Sequence, residues 1–313
     1  MLNHITYDEI GRLPLSKIQP LHLIGLYKRL NCDGARRDGK PGGYSSATIH
    51  HYHTMLHGIF DRAVKWGLLV VNPASRLDSP KRRISTPAAY YNEEQAKRLL
   101  AILNTEPVKY RLALYIAMTT GLRRGEVCGL KWNDVNLEKH EISVNQSIEQ
   151  HVGTGLHEKD PKTKSSKQKV GFPAQLVPLF TRQKDEQTQL RMDLGEAYED
   201  RDFIFTQWNG NPMWPDSLSQ YIRKLRAKHD LPRIDIKGLR HTCASLLIRG
   251  GADVAVVSRQ LRHASKSTTL NHYIHEFNQA EHTAAAIVGK MLGLGEEKHK
   301  ETTILPLRSR AQR

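Results

Sequence analysis

Two stretches of apolar residues at helical spacing dominate residues 1–79 and predict a small helical unit. The first predicted helix covers residues 21–30, and a charged, glycine-rich loop follows at 31–43. The second helix is expected to begin at a cap by Ser45 or Ser46 and to run to Trp66. The apolar positions behind these assignments are Leu21, Ile24, Leu26, Tyr27 and Leu30 in the first helix and His53, Leu56, Ile59, Phe60 and Ala63 in the second.

Residues 89–292 mix helical and strand-like patterns. A helix capped by Asn92 opens this region, and a strongly apolar helix at 108–119 ends at Gly121. Strand-like segments are found at 141–147, 167–172 and 203–206, and helical spacing returns at 216–228, 239–249, 254–261 and 282–292. The predicted fold class is therefore mainly α with a small antiparallel β-sheet, an α+β arrangement.

The chain of 313 residues is long for a single core, so two domains and a tail are expected. We place a helical domain at 1–79, a linker at 80–88, a larger mixed domain at 89–292 and a tail at 293–313. The tail carries one apolar patch, Ile304, Leu305 and Leu307, which is too short to build a core of its own.

Basic residues outnumber acidic ones along the chain. Lys and Arg total 47 against 32 Asp and Glu, a formal charge of +15, and such a surface attracts polyanions through a long-range field that salt weakens. The linker concentrates Lys81, Arg82 and Arg83, which we expect to follow a phosphate backbone. An ordinary solvated linker has the same composition, and charge alone also fits a merely basic protein.

Cysteine usage and hydropathy bear on the compartment. Cys32, Cys128 and Cys243 lie far apart and form no C-x-x-C pair, which favours a reducing, cytoplasmic compartment. No apolar run approaches the roughly 18 residues of a membrane span, and the N-terminus has no signal-peptide pattern. The expected protein is soluble and intracellular, with no membrane partner.

Three separated segments place basic side chains beside a glycine or a helix end. In residues 119–126 an apolar helix gives way to a turn between two glycines, where the core can hold Arg123 and Glu126 is near enough to orient it. In residues 237–242, Lys237 and Arg240 share one face of a first helical turn and can reach a single anion. The third segment carries His263 and then Tyr273. Each segment by itself also fits an ordinary structural role.

In their order along the chain, the three segments resemble the catalytic domain of the tyrosine recombinases, the phage-type integrases. The family's first box, T-G-L-R-x-x-E, places a catalytic arginine at Arg123 and a supporting acid at Glu126. The family's second box, H/K-x-x-R, its later histidine and its nucleophile fall on Lys237 with Arg240, on His263 and on Tyr273. The helical unit at 1–79 is similar to the family's core-type DNA-binding domain, and it begins near the middle of such a domain, so a truncated or naturally short form is expected.

The family also has a catalytic lysine in a β-hairpin between the first and second boxes. In this sequence the hairpin contains Lys162, Lys164 and Lys167, of which Lys162 and Lys164 are both eligible. Two positions depart from the commonest family pattern. Lys237 stands where most members have histidine, and Arg262 replaces the glycine before the histidine of the third segment.

The resemblance implies an enzyme that cuts and rejoins DNA. Arg123 and Arg240 would grip the non-bridging phosphate oxygens, and Tyr273 would form a covalent 3′-phosphotyrosyl link. The hairpin lysine would protonate the leaving 5′ oxygen, while Lys237 and His263 would bind phosphate or relay protons. Because the covalent link stores the bond energy, neither a nucleotide nor a metal cofactor would be required.

The implied partners are double-stranded DNA with attachment-type sites, further copies of the chain in a homotetramer on DNA, and accessory DNA-bending or directionality proteins. The host would be a phage or another mobile element. Besides the linker, Arg124 and Lys167 are expected to contact DNA. We further expect the two domains to form a C-shaped clamp around the duplex, and the tail to pack onto a neighbouring subunit.

Three other interpretations use the same residues. A type IB topoisomerase shares the chemistry, but the short helical N-terminal unit and the form of the boxes favour a recombinase. A non-catalytic DNA-binding regulator needs only the basic surface, and the retention of all the boxes argues against it. A zinc site at His50, His51 and His53 has no cysteine or acid nearby in sequence to complete it.

Overall fold

The computed structural model describes residues 2–78, 80, 89–151, 153–159, 169–263, 265–270 and 273–274. The chain divides into two compact units, Met1–Ala88 and Ala89–Arg313. The predicted helix at 282–292, the tail at 293–313 and the linker except Pro80 lie outside the described residues. The predicted boundaries of the linker and the tail therefore stay predictions.

Helices enclose a small apolar core in the first unit. Its described helices are α1 Leu2–Tyr7, α2 Pro20–Asn31 and α3 Ser46–Lys65. The hydroxyl of Ser45 caps α3 by accepting a hydrogen bond from the backbone N–H of Thr48. The core side chains that these helices share are Leu23, Leu26 and Leu30 of α2 and Tyr52, Leu56 and Phe60 of α3.

The buried face of α2 differs from the predicted one. Leu21 and Ile24, which the helical spacing placed in the core, are 71% and 37% exposed, whereas Leu23 has no exposed surface. Ile59 of α3 is likewise exposed. When apolar residues are frequent, more than one set of positions satisfies helical spacing, so the spacing identified the helices without identifying their buried faces.

A central helix organises the second unit. Its described helices are α4 Glu93–Leu103, α5 Val108–Thr120, α6 Arg124–Cys128, α7 Val177–Leu194, α8 Pro215–Lys228, α9 Ile236–Arg249 and α10 Val254–Leu261. α5 is apolar on nearly every side, and a helix of this kind is stable only inside a core. It packs against α7 and α9, and Leu112, Leu114 and Ile116 have no exposed surface.

Short antiparallel strands complete the described part of the second unit. They are β1 Val135–Asn136, β2 Glu141–Ser143, β3 Ser147–His151, β4 Gly155–Lys159 and β5 Lys169–Gly171. Strands β1, β2 and β5 form one sheet in the order β1-β2-β5, in which Ile142 pairs with Val170, and both are buried. Strands β3 and β4 form a separate hairpin. The predicted fold class, mainly α with small antiparallel sheets, is confirmed.

Two of the predicted strands are wrong in part. Residues 203–206 form only isolated bridges, Phe203 with Lys131 and Thr206 with Pro212. Three consecutive buried apolar residues give this segment the sequence pattern of a strand. Their backbone groups bond to loops instead, as the N–H of Ile204 does to the carbonyl of Leu130. The predicted strand at 141–147 ends at Ser143, because the chain next pairs with β4 instead of β5.

Helix α7 is not among the predicted helices. Its 18 residues are mostly polar, and only Leu179, Phe180 and Gln183 are buried. Such a sparse apolar stripe gives little periodicity, so tertiary contacts decide that this segment is helical. In the described part of the chain, no helix combines the length and the hydropathy that a membrane crossing requires.

Candidate active site

The turn between α5 and α6 presents Arg123 to an open cavity of the second unit. α5 ends at Gly121, whose φ of +67° is the left-handed conformation that glycine adopts without strain. A β-carbon at this position would lie 2.5 Å from Cδ2 of Leu261, so a larger residue here would force the Leu261 side chain to move. Arg123 follows as the N-cap of α6. One helix therefore ends and the next begins within a few residues, and this fixes the backbone of Arg123.

Glu126 holds the Arg123 side chain. Its Oε1 accepts a hydrogen bond from Nη1 of Arg123 at 3.0 Å, and its Oε2 accepts one from the backbone N–H of Arg123 at 2.7 Å. Oε2 also accepts a hydrogen bond from Nη2 of Arg262. Burial acts to raise the pKa of Glu126, but the charge of Arg262 and the bonds from Arg123 more than offset it, so the pKa lies below its ordinary value. Glu126 is therefore a carboxylate at neutral pH that links two arginines.

Arg240 is a buried arginine of the same site. Asp235 caps the start of α9, which places Arg240 in the early part of the helix with only 7% of its surface exposed. Its Nη1 donates to the carbonyl of Gly121 and its Nη2 to the carbonyl of Leu261, both at 2.5 Å. Burial, together with the nearby charge of Arg123, lowers the pKa of Arg240 to about 10, so the guanidinium remains charged at neutral pH.

Tyr273 is packed against the same cavity and is 3% exposed. Its ring belongs to a small apolar cluster with Ala244, Ile248, Val257 and Leu261. Its hydroxyl shares a hydrogen bond of 2.7 Å with Nδ1 of His241. His241 is not among the site residues that the sequence predicts, although its i, i+4 spacing from Lys237 in a helix indicates a shared face.

His263 follows the turn after α10. Its Nδ1 shares a hydrogen bond of 2.7 Å with Oγ1 of Thr269, which is fully buried. This bond fixes the ring orientation, and it links the turn to the helical residues 266–270 that precede Tyr273.

These side chains line one cavity of about 440 Å³. The predicted site residues in its lining are Arg123, Arg124, Lys237, Arg240, His263 and Tyr273, and the structure adds Ser219, Asp235, Ile236, His241 and Thr268. Glu126 is bonded to Arg123, as described above. Four cations therefore face a single carboxylate, that of Asp235, in the described lining, and Asp235 is engaged in capping α9.

Arg124 lies at the edge of the cavity with its charge partly offset. Its Nη1 donates to Oδ1 of Asp216 at 2.7 Å and to Oγ of Ser219 at 2.9 Å. The other predicted site residues, Lys81, Arg82, Arg83, Lys162, Lys164 and Lys167, lie outside the part of the chain that the structure describes.

Of the histidine cluster in α3, His53 has a packing role. Nδ1 of His53 shares a hydrogen bond of 3.0 Å with the hydroxyl of Tyr27, and burial lowers the pKa of His53. Among the described residues, no group of three or more His, Cys, Asp or Glu side chains is placed to hold a metal ion. His53 is a core side chain of the first unit.

The chemistry of the cavity follows from its charges. Guanidinium groups stay charged and present planar pairs of donors that match the oxygens of a phosphate ester. A tyrosine hydroxyl at the same cavity can serve as an oxygen nucleophile, and the neighbouring histidine can exchange its proton. The arrangement can therefore bind a phosphodiester and present an attacking oxygen to it.

The chain is similar in sequence to several known proteins. Residues 90–280 match the sequence model of the Phage integrase family. The XerC-like tyrosine recombinase of Caldanaerobacter subterraneus is 29% identical over 290 residues, which cover 87% of this chain and 71% of that protein. The ICEBs1 integrase of Bacillus subtilis is 29% identical over 236 residues, which cover 74% of this chain and 62% of that protein. The chain thus spans between 62 and 71% of the length of these two relatives.

A solved structure shares the fold. The integrase of the Tn1549 transposon, in complex with a circular intermediate DNA, superposes with a TM-score of 0.73 and 20% identity, covering 91% of this chain and 90% of that chain. At this identity the likeness concerns the fold alone.

Proposed function

Because the chain belongs to the phage integrase family, we propose that it is a site-specific DNA recombinase that cleaves and rejoins duplex DNA through a covalent bond between Tyr273 and a 3′ phosphate. The observation that carries the proposal is that Tyr273 lines the same cavity as Arg123, Lys237, Arg240 and His263, which come from segments far apart in sequence. A structural tyrosine needs no such surroundings.

In the proposed step, the hydroxyl oxygen of Tyr273 attacks phosphorus, and the bond from phosphorus to the 5′ oxygen breaks. One phosphodiester is exchanged for another, so the bond energy is retained and no nucleotide is consumed. The tyrosine loses a proton, and the leaving 5′ oxygen gains one. His241, whose Nδ1 contacts the hydroxyl at 2.7 Å, is the proposed acceptor of the first proton.

Charge neutralisation is the proposed task of the cations. Arg123 and Arg240 would bind the non-bridging oxygens, and preorganised donors of this kind typically contribute about 3 kcal/mol each to transition-state stabilisation. Lys237 and His263 would bind phosphate or relay protons. Either Lys162 or Lys164 would protonate the 5′ oxygen.

Duplex DNA is the proposed partner, and a homotetramer on paired attachment-type sites is the proposed assembly. The formal charge of +15 supports a polyanionic partner, and the Tn1549 integrase of similar fold is bound to DNA. Accessory DNA-bending or directionality proteins, the packing of the tail at 293–313 on a neighbouring subunit, and origin from a phage or mobile element are further parts of this proposal.

A trapping experiment in which the protein selects its own target site tests the proposed function. The protein is incubated with a pool of random-sequence duplexes that carry a nick, so that the short cleaved fragment diffuses away and rejoining is prevented. Covalent complexes are collected after denaturation, and the bound DNA is amplified through further rounds. We expect a specific duplex to be enriched and to remain attached through its 3′ phosphate.

The other outcomes of this experiment separate the alternatives. The absence of any covalent complex, with a specific duplex enriched when bound complexes are instead collected without denaturation, would indicate a DNA-binding regulator. Adducts on most sequences without enrichment of any one of them, together with relaxation of a supercoiled plasmid of unrelated sequence, would indicate a topoisomerase. Either outcome would contradict the proposed site-specific recombinase.

Binding to the enriched duplex should weaken steeply with salt. If about six to ten phosphates are contacted, the affinity is expected to fall by about 10³- to 10⁵-fold between about 50 and 200 mM salt, because binding releases condensed counterions. Arg124→Ala should reduce the slope of log affinity against log salt by about one. Fluorescence anisotropy at a series of salt concentrations measures both, and an affinity that barely changes with salt would contradict the proposed phosphate contacts.

A further inference from the structure

Arg262 occupies a backbone conformation that glycine adopts most easily. It follows α10 with φ of +54° and ψ of +48°, in the left-handed region. The other described non-glycine residues with positive φ are His140, Asp202 and Asp230, types that tolerate this region better than arginine does. Because the backbone conformation disfavours arginine, we expect the contacts of the side chain to explain the role of Arg262.

The side chain of Arg262 is buried, with 2% of its surface exposed. Its Nη2 donates a hydrogen bond to Oε2 of Glu126. In the part of the chain that the structure describes, its Nε and Nη1 are buried without a hydrogen-bond partner. Burying a cation with unsatisfied donors costs stability, so stability alone does not explain this arginine.

Glu126 connects Arg262 to the cavity, because the same carboxylate holds Arg123, whose side chain is 54% exposed and lines the cavity. With Arg123 as its only partner, Glu126 would cancel most of the charge that Arg123 offers to an anion. Two guanidiniums and one carboxylate instead leave one net positive charge. Arg262 thus restores the charge that Glu126 would otherwise remove.

The same turn also holds Arg240. The carbonyl of Leu261, the residue before Arg262, accepts the hydrogen bond from Nη2 of Arg240 at 2.5 Å. Burial is the main cause of the lowered pKa of Arg240, and the charges of Arg123 and Arg262 add to it. In the described part of the site, the three cations thus outnumber the one carboxylate, Glu126, that lies among them, and this excess of positive charge favours the binding of an anion.

We propose that Arg262 is a positioning residue of the phosphate-binding cavity, which offsets the charge of Glu126 so that Arg123 keeps its own charge for the anion. The inference rests on the proposed function, since the anion is taken to be a DNA phosphate. Arg262 acts through Glu126, and the turn that it forms links Glu126 to the carbonyl that holds Arg240.

The test compares Arg262→Gly and Arg262→Gln with a conservative and a matched variant. Arg262→Lys keeps the positive charge, and it should suffice because a single donor of Arg262 reaches Glu126. Asp230→Gly removes an exposed side chain from the same left-handed conformation two residues after α8 and serves as the control. Single-turnover cleavage of the enriched duplex, its dissociation constant and the Tm are measured for each variant.

We expect Arg262→Gly and Arg262→Gln to slow cleavage by about ten- to a hundredfold, because Glu126 would then cancel much of the charge of Arg123, and full loss of one preorganised donor costs about 10²- to 10³-fold. Duplex affinity should stay within about twofold of wild type, since the other phosphate contacts remain. Arg262→Lys should recover most of the rate, and Asp230→Gly should match wild type. In a Glu126→Gln background, Arg262→Gly should slow cleavage little further, because the charge that it offsets is gone. Wild-type rates in both Arg262→Gly and Arg262→Gln, or fully additive effects with Glu126→Gln, would overturn the inference.

A second readout does not depend on cleavage. Inorganic phosphate raises the Tm of a protein by binding its folded state. The part of this rise in Tm that Arg123→Ala removes is due to phosphate bound in the cavity. Arg262→Gly should remove most of that part of the rise. Arg262→Lys and Asp230→Gly should leave the rise unchanged. A phosphate response of Arg262→Gly equal to that of wild type would overturn the inference. If wild type forms no adduct with any duplex, the proposed function fails, and this titration still decides the role of Arg262.

Discussion

Tyr273→Phe is expected to abolish strand cleavage while leaving duplex binding close to that of wild type. The substitution removes only the hydroxyl oxygen, which is the proposed nucleophile, and no other group can replace it in the covalent step. The ring is 3% exposed and stays packed beside Leu261 and Val257. Loss of the hydrogen bond to His241 should lower the free energy of unfolding by about 1 kcal/mol. Adduct formation on the nicked duplex, duplex affinity and thermal unfolding measure the three effects.

Tyr221→Phe is the matched control for this substitution. Tyr221 is stacked on Tyr110 with ring centroids 3.8 Å apart, and its hydroxyl bonds to Glu106 instead of facing the cavity. Its variant should form the adduct at the wild-type rate. Adduct formation by Tyr273→Phe would show that the nucleophile has been misassigned, and with it the third segment on which the recombinase interpretation depends.

Arg240→Ala is expected to impair both cleavage and folding stability. Removing a preorganised cation from the phosphate should cost about 3 kcal/mol or more of transition-state stabilisation, which slows cleavage by about 10²- to 10³-fold. The change also leaves the carbonyls of Gly121 and Leu261 without the donors that now reach them, so the free energy of unfolding should fall by about 1 to 3 kcal/mol. Single-turnover cleavage and denaturant unfolding measure the two losses separately.

Arg240→Lys and Arg98→Ala are the controls for the expected loss of cleavage. A lysine keeps the charge but offers no planar fork to span both carbonyls, so Arg240→Lys should remain slow. Arg98 also donates to a backbone carbonyl, that of His229, and it is not among the residues that line the cavity, so Arg98→Ala should cleave normally. Wild-type cleavage by a folded Arg240→Ala protein would contradict the proposed grip on the phosphate.

The sequence predicted the fold class and brought several candidate site residues to notice, but it missed some of the helix and strand boundaries around them. Lys237, Arg240, His263 and Tyr273 could be named because a family pattern fixes their spacing, and the structure places all four in one cavity. Their chemical roles remain proposals. The contact of His241 with Tyr273 could not be predicted, because it joins residues 32 positions apart and local sequence patterns do not reveal such a contact.

Arg262 shows most clearly what a sequence pattern cannot reveal. The sequence marked it as a departure from the family pattern, but its partner Glu126 lies 136 positions away. The left-handed backbone and the buried guanidinium become visible only in three dimensions. Local signals did better where one residue decides the outcome, as with the caps at Ser45 and Asn92 and the helix end at Gly121.

Tertiary context decided the remaining errors of the fold prediction. The polar surface of α7 gives no clear periodicity, and its helix depends on burying Leu179 and Phe180. Residues 203–206 have the burial of a strand without a strand to pair with. In both cases the residues whose contacts determine the secondary structure are distant in sequence.

Mapping the covalent bond to a single residue is the decisive measurement for the proposed mechanism. The adduct formed on the nicked duplex is treated with nuclease and protease, and the peptide that retains a nucleotide remnant is fragmented in a mass spectrometer. We expect one modified peptide with the 3′-phosphoryl group on the hydroxyl oxygen of Tyr273. A nucleotide remnant on any other residue, or a wild-type protein that cleaves the duplex without forming a covalent link, would contradict the mechanism.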